Sequence, residues 1–304
     1  MPGTPWLHSA VDRLAVWLED RKPRDPAPFV PAPAGPLACF GPLPRPPPPP
    51  DGPGWWTAPS PRPAPDDGEV RALVTCAPGR RRGTAVLVPP WKLPRLSLLS
   101  GWTELLARRG LDVWTLVPPF HLDRAPPGAR NGEAFATLDL PALRAAVEQL
   151  VLEIRLLLGL ARGQGGELVL AGLSLGALGA ALAATSPEAP DRLVAVAPPA
   201  DLLAVATGTG IGRRYQRLGA RAGRPVPAPR ALEPMLRPFR PGARPLRAPR
   251  ALFAAGVADA IALPGPAVDL GRAWGAEVRI YPRGHLTLLF LCRALRADVT
   301  RFLG

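Results

Sequence analysis

The chain has 304 residues, with 44 prolines, 31 glycines, 3 cysteines and a formal net charge of +13. A hydrophobic share of 47% is enough for a core and excludes wholesale disorder, and glycine does not recur at every third position as collagen requires. Lysine occurs only at Lys22 and Lys92; the remaining basic excess is arginine, which fits G/C-rich codon usage better than a nucleic-acid footprint, because the arginine-rich run 213–250 interleaves only Tyr215 and Phe239 as aromatics.

In chain order, residues 4–21 read as an amphipathic helix. Leu7, Val11, Leu14 and Leu18 recur on one face with Trp17 beside them. The expectation is that this face packs on its own domain rather than anchoring to a membrane. The first residues lack the basic start and apolar run of a signal peptide, so cytoplasmic residence is expected. Of the 44 prolines, 20 lie at or before Pro65. Residues 1–54 are therefore expected to form a helix and a Pro-rich arm. Within it, 46–50 is a polyproline II segment, read as a stiff connector in preference to an SH3-type ligand.

From Trp55 the texture changes to short apolar runs alternating with helical patterns. Strands are predicted at 70–76, 85–88, 113–117, 168–171, 193–197, 251–255 and 278–281. Helices are predicted at 96–109, from an N-cap at Asp139, from Leu175, and over 288–303. This alternation predicts an α/β fold, a mostly parallel twisted sheet with helices on both faces, forming one domain over 55–304. Residues 201–250 break the alternation and are expected to form a small lid after the sixth core strand, over the strand ends where ligands bind. The uncharged stretch 168–185 has membrane-spanning length but reads as strand, turn and helix. Cys39, Cys76 and Cys292 have the spacing of neither a disulfide framework nor a metal site, and no metal or organic cofactor is expected.

The strongest chemical signal is Gly172-Leu173-Ser174-Leu175-Gly176, set between an apolar strand and a small-residue helix. A tight strand-to-helix turn there would exclude side chains at both glycines and push the Ser174 hydroxyl out of the sheet. A serine needs a base. Of three histidines, His8 lies in the first helix, and His285 follows the last strand in Gly284-His285-Leu286-Thr287. Asp259, after the strand preceding that of the histidine, is the candidate orienting acid; Asp201 is its rival. His121 and Phe120 follow another strand and are candidate pocket residues, although a hydrogen-bonded loop histidine is the plainer reading of His121.

The order Ser174, Asp259, His285 and the strand–turn–helix setting of the serine resemble the α/β-hydrolase superfamily over about 55–304. A weaker likeness to a subgroup of uncharacterised α/β-hydrolase-domain proteins rests on four features. They are the N-terminal helix, Trp91-Lys92-Leu93-Pro94-Arg95, Pro119-Phe120 with Arg124-Ala125-Pro126, and the Gly284-His285 segment. The superfamily resemblance implies hydrolysis of a small-molecule or lipid carboxylic ester through an acyl-enzyme. It also implies an oxyanion hole built from the Leu175 N–H and an N–H after the third strand. Pro89 and Pro90 have no N–H, so Trp91 is the first available donor and Lys92 the next. Lys92 is a candidate substrate contact. Acyl transfer through the same residues, and a catalytically weak binding scaffold, remain the alternative readings. An arginine-rich lid suggests an anionic ester or lipid headgroup.

Overall fold

Strand residues buried on both faces produce the continuous apolar runs seen in the sequence. In the strand Glu167–Leu173, Leu168 and Leu170 enter one core cluster, whereas Val169, Ala171 and Leu173 enter the other. The computed structural model describes residues 5–21, 27–45 and 47–304; the first residue of the expected helix, Lys22 and Pro46 lie outside these.

The first described element is α1 (Pro5–Asp20), and residues 27–45 and 47–53 are largely irregular. Eight strands then form one sheet: β1 (Gly54–Ala64), β2 (Asp67–Thr75), β3 (Gly83–Val88), β4 (Leu111–Val117), β5 (Glu167–Leu173), β6 (Arg192–Val196), β7 (Arg250–Gly256) and β8 (Glu277–Tyr281). Their spatial order is β1-β2-β4-β3-β5-β6-β7-β8; β1 and β2 are antiparallel to their neighbours and β3 to β8 run parallel. α2 (Ser100–Ala107), α9 (His285–Leu291) and α10 (Arg293–Leu303) pack on one face of the sheet. α3 (Leu140–Gly163), α4 (Leu175–Ala183) and α8 (Pro264–Ala273) pack on the other. Residues 201–250 hold α5 (Leu202–Gly208), α6 (Gly210–Arg221) and α7 (Pro229–Leu236) with two short 3-10 turns. The stretch 168–185 is β5, the turn and α4, and no helix among the described residues is long and apolar enough to cross a membrane.

Three features differ from the sequence expectations. β1 was not expected, because Pro59, Pro61 and Pro63 lie within it; it is an edge strand paired only with β2, so its outer side needs no ladder donors. The helix expected at 96–109 is a 3-10 turn, Leu96–Leu99, followed by α2, and the closing helix breaks at Cys292. Residues 29–41 of the Pro-rich arm pack into the fold, which the sequence did not show. Phe29, Leu37 and Cys39 are buried, Val30 pairs with the backbone flanking Asp139, and Arg155 on α3 donates to the Cys39 and Gly41 carbonyls.

The first helix is turned opposite to expectation. Leu7, Val11, Leu14, Trp17 and Leu18 are exposed, while Asp12 is fully buried. A second buried polar group secures the antiparallel edge: Arg124 donates to Asp67 at 2.7 Å and to both Glu153 oxygens at 2.8 Å. Ser60 of β1 donates to the same Glu153. Their mutual charge satisfies groups that burial would otherwise penalise severely.

Candidate active site

β5 ends at Leu173, and Ser174 turns directly into α4. Its backbone has φ 53° and ψ −116°, a strained conformation for a residue with a side chain. Both flanking glycines are required by space. A Cβ on Gly172 would lie 2.4 Å from the Gly176 carbonyl oxygen, and one on Gly176 would lie 2.1 Å from that of Val88. The close approach seats the start of α4 against the loop after β3.

Because β5, β7 and β8 run parallel, their carboxyl ends share one edge of the sheet. Asp259 follows β7 and His285 begins α9 just after β8. At that edge the Ser174 Oγ lies 2.8 Å from His285 Nε2, and His285 Nδ1 lies 2.7 Å from Asp259 Oδ2. The other Asp259 oxygen accepts from the backbone of Ile261 at 2.8 Å and Ala262 at 2.7 Å, which fixes the carboxylate. Asp201 is committed elsewhere: it caps α5 through the Leu203 N–H and pairs with Arg240.

Asp12 is the site residue that the sequence did not reveal. From α1 its carboxylate accepts from the N–H groups of His285 at 2.6 Å, Leu286 at 3.1 Å and Ala260 at 3.3 Å. It thus caps the amino end of α9 and ties the Asp259 loop to it. Burial pushes the Asp12 pKa up against these hydrogen bonds. For His285, burial alone would disfavour the imidazolium. The charge and hydrogen bond of Asp259, with the charge of Asp12, outweigh it and raise the pKa above its ordinary value.

Two cavities meet at Ser174, and Trp91 lines both. The first, about 190 Å³, runs under the lid between Phe29, Phe135, Leu178, Leu202, Ile211 and Leu232, and among the described residues none that lines it is charged. The described lid arginines do not line this apolar cavity, but Arg214 of α6 lines the second one. The second, about 230 Å³, lies between α1, the 90–94 loop and α9. Lys92 lines it and pairs with Glu19 of α1, which also meets Arg214.

Phe120 and His121 line neither cavity. His121 is buried, its Nδ1 lies 2.8 Å from the Pro119 carbonyl, and burial lowers its pKa to about 4. It packs edge-on against Phe135, which does line the apolar cavity. Trp91 is held by a 2.7 Å bond from its ring N–H to the Gly132 carbonyl. Among the described residues, the backbone N–H groups of Trp91 and Leu175 donate to no protein acceptor.

The overall fold recurs in solved structures. An esterase of Pyrobaculum calidifontis superposes with a TM-score of 0.53 at 14% identity, covering 78% of this chain and 80% of its own. An esterase of Pyrococcus furiosus gives 0.54 at 12%, covering 92% and 97%. This is the α/β-hydrolase fold. A Pyrococcus horikoshii acylaminoacyl peptidase gives 0.53 at 16% over 77% of this chain, which spans only 38% of that larger protein. No family model and no curated protein matches the sequence. At such identities the likeness establishes the α/β-hydrolase fold alone.

Proposed function

We propose that the protein is a serine hydrolase cleaving carboxylic esters with an apolar acyl group. The observation that carries this is the Ser174–His285–Asp259 hydrogen-bonded relay at the junction of an uncharged apolar cavity with a second, more polar one. Neutral His285, its Nδ1 proton donated to Asp259, accepts the Ser174 proton at Nε2 as Oγ attacks the ester carbonyl. The Leu175 and Trp91 N–H groups would then donate to the tetrahedral oxyanion, worth about 3 kcal/mol each. Collapse passes the proton from Nε2 to the departing alkoxide and leaves an acyl-serine. Water, deprotonated by the same nitrogen, releases the acid and restores Ser174.

The acyl chain would occupy the apolar cavity and the alcohol portion the second one, with Trp91 between them. The activity proposed needs no metal: the relay supplies the nucleophile and the backbone supplies the charge stabilisation. Reaction with a fluorophosphonate probe tests the reading, since phosphonylation requires both an activated serine and a formed oxyanion hole. Labelling of the wild type that disappears in Ser174→Ala supports it. Unlabelled, well-folded wild type that also fails to turn over p-nitrophenyl butyrate refutes it.

A further inference from the structure

The outward face of α1 carries Trp6, Leu7, Val11, Leu14, Trp17 and Leu18, each between 42% and 66% exposed. At 100° per residue they form one continuous stripe, with the two tryptophans along one border. The inward face, Asp12, Ala15, Val16 and Glu19, is held against α9, the 90–94 loop and α6. The apolar stripe is therefore not a packing surface missing its partner within the domain; the helix is already docked by its other side.

Basic side chains border the stripe. Arg13 is exposed beside it, and Arg21 stacks over the Trp17 ring at 3.9 Å. Arg13 and Trp17 also line a surface cavity of about 670 Å³ with Arg213 and Arg217 of α6. Asp259, which also lines it, is engaged by His285 and by backbone N–H groups. Exposed Leu and Trp flanked by arginines suit the boundary between anionic headgroups and acyl chains, where tryptophan rings also settle.

We propose that α1 docks the protein, lying flat, on anionic phospholipid membranes. The apolar stripe enters the headgroup boundary, and Arg13, Arg21 and Arg213 face lipid phosphates. The docking does not require chemistry at Ser174. It places the cavity lined by Ala15, Val16 and Glu19, which reaches Ser174, beside the membrane.

Co-sedimentation of the full chain with vesicles tests this, comparing phosphatidylcholine alone with phosphatidylcholine plus phosphatidylserine at low and high salt. Wild type is expected to bind the anionic vesicles, less at high salt. Leu14→Glu/Leu18→Glu is expected to bind at least about tenfold more weakly with unchanged melting, since both side chains are exposed. Arg13→Glu/Arg213→Glu is expected to weaken binding to anionic vesicles specifically. No binding at low salt, or equal binding by wild type and the leucine variant, overturns the proposal. So does a solution dimer broken by the same leucine substitutions without vesicle binding, which would assign the stripe to a second copy.

Discussion

The Asp12 carboxylate accepts the backbone N–H of His285 at 2.6 Å, across a sequence separation of 273 residues. The bond fixes where α9 begins, and hence where the imidazole sits relative to Ser174. Asp12→Ala should leave one buried and two half-buried N–H groups without this acceptor and cost about 1–3 kcal/mol. Asp12→Asn, which keeps an acceptor oxygen, should recover part of that stability. Urea midpoints of the three proteins measure the difference.

The raised His285 pKa gives the acid limb of the proposed esterase a definite sign. The base must be neutral, so kcat/KM should fall as pH drops, with a midpoint above the ordinary 6.5. Asp12→Asn removes a charge that favours the imidazolium and should move the limb downward. For stability, a raised folded-state pKa means the His285 contribution is full below the unfolded value and is lost as pH rises through the folded one. A limb centred at or below 6.5 in p-nitrophenyl ester turnover would contradict the assignment.

The apolar cavity should set acyl length. Ala206 on α5 lines it. Ala206→Phe should fill part of the cavity and lower kcat/KM for octanoyl relative to acetyl p-nitrophenyl esters by about tenfold or more, with acetyl turnover little changed. An unchanged ratio would move the acyl group elsewhere.

Gly176 has no room for a methyl group, because the Val88 and Pro89 carbonyl oxygens are backbone and cannot swing away. Gly176→Ala should destabilise by about 1–3 kcal/mol and displace the loop carrying Trp91. Thermal melting and probe labelling should fall together.

Arg124 neutralises two buried carboxylates at the antiparallel edge. Arg124→Met should cost about 3–5 kcal/mol, because Asp67 and Glu153 are left buried without their counter-charge. The loss should be larger in guanidinium melts at neutral pH than in acid, because burial raises the Asp67 pKa and its protonation relieves part of the uncompensated charge.

Much of the fold was legible because its signals are local. Apolar runs marked β3 to β8, Asp139 marked the start of α3 by capping the Ala142 N–H, and Gly172 and Gly176 announced a turn that admits no Cβ. The glycine-flanked turn, the positions after strands and the chain order together nominated Ser174, Asp259 and His285, which the fold brings within hydrogen-bond distance. The sequence could not orient α1: its apolar stripe implied an inward leucine face, yet the fold buries Asp12. The reason is that α9 presents free N–H groups at its amino end, and a carboxylate fits there better than any hydrocarbon. Composition likewise could not place the lid's arginines, since their count does not say which way each points: Arg214 lines the second cavity and none of those described lines the apolar one. Local periodicity determined the strands and the serine turn; only tertiary packing decided which face of α1 and of the lid meets solvent, because that depends on partners hundreds of residues away.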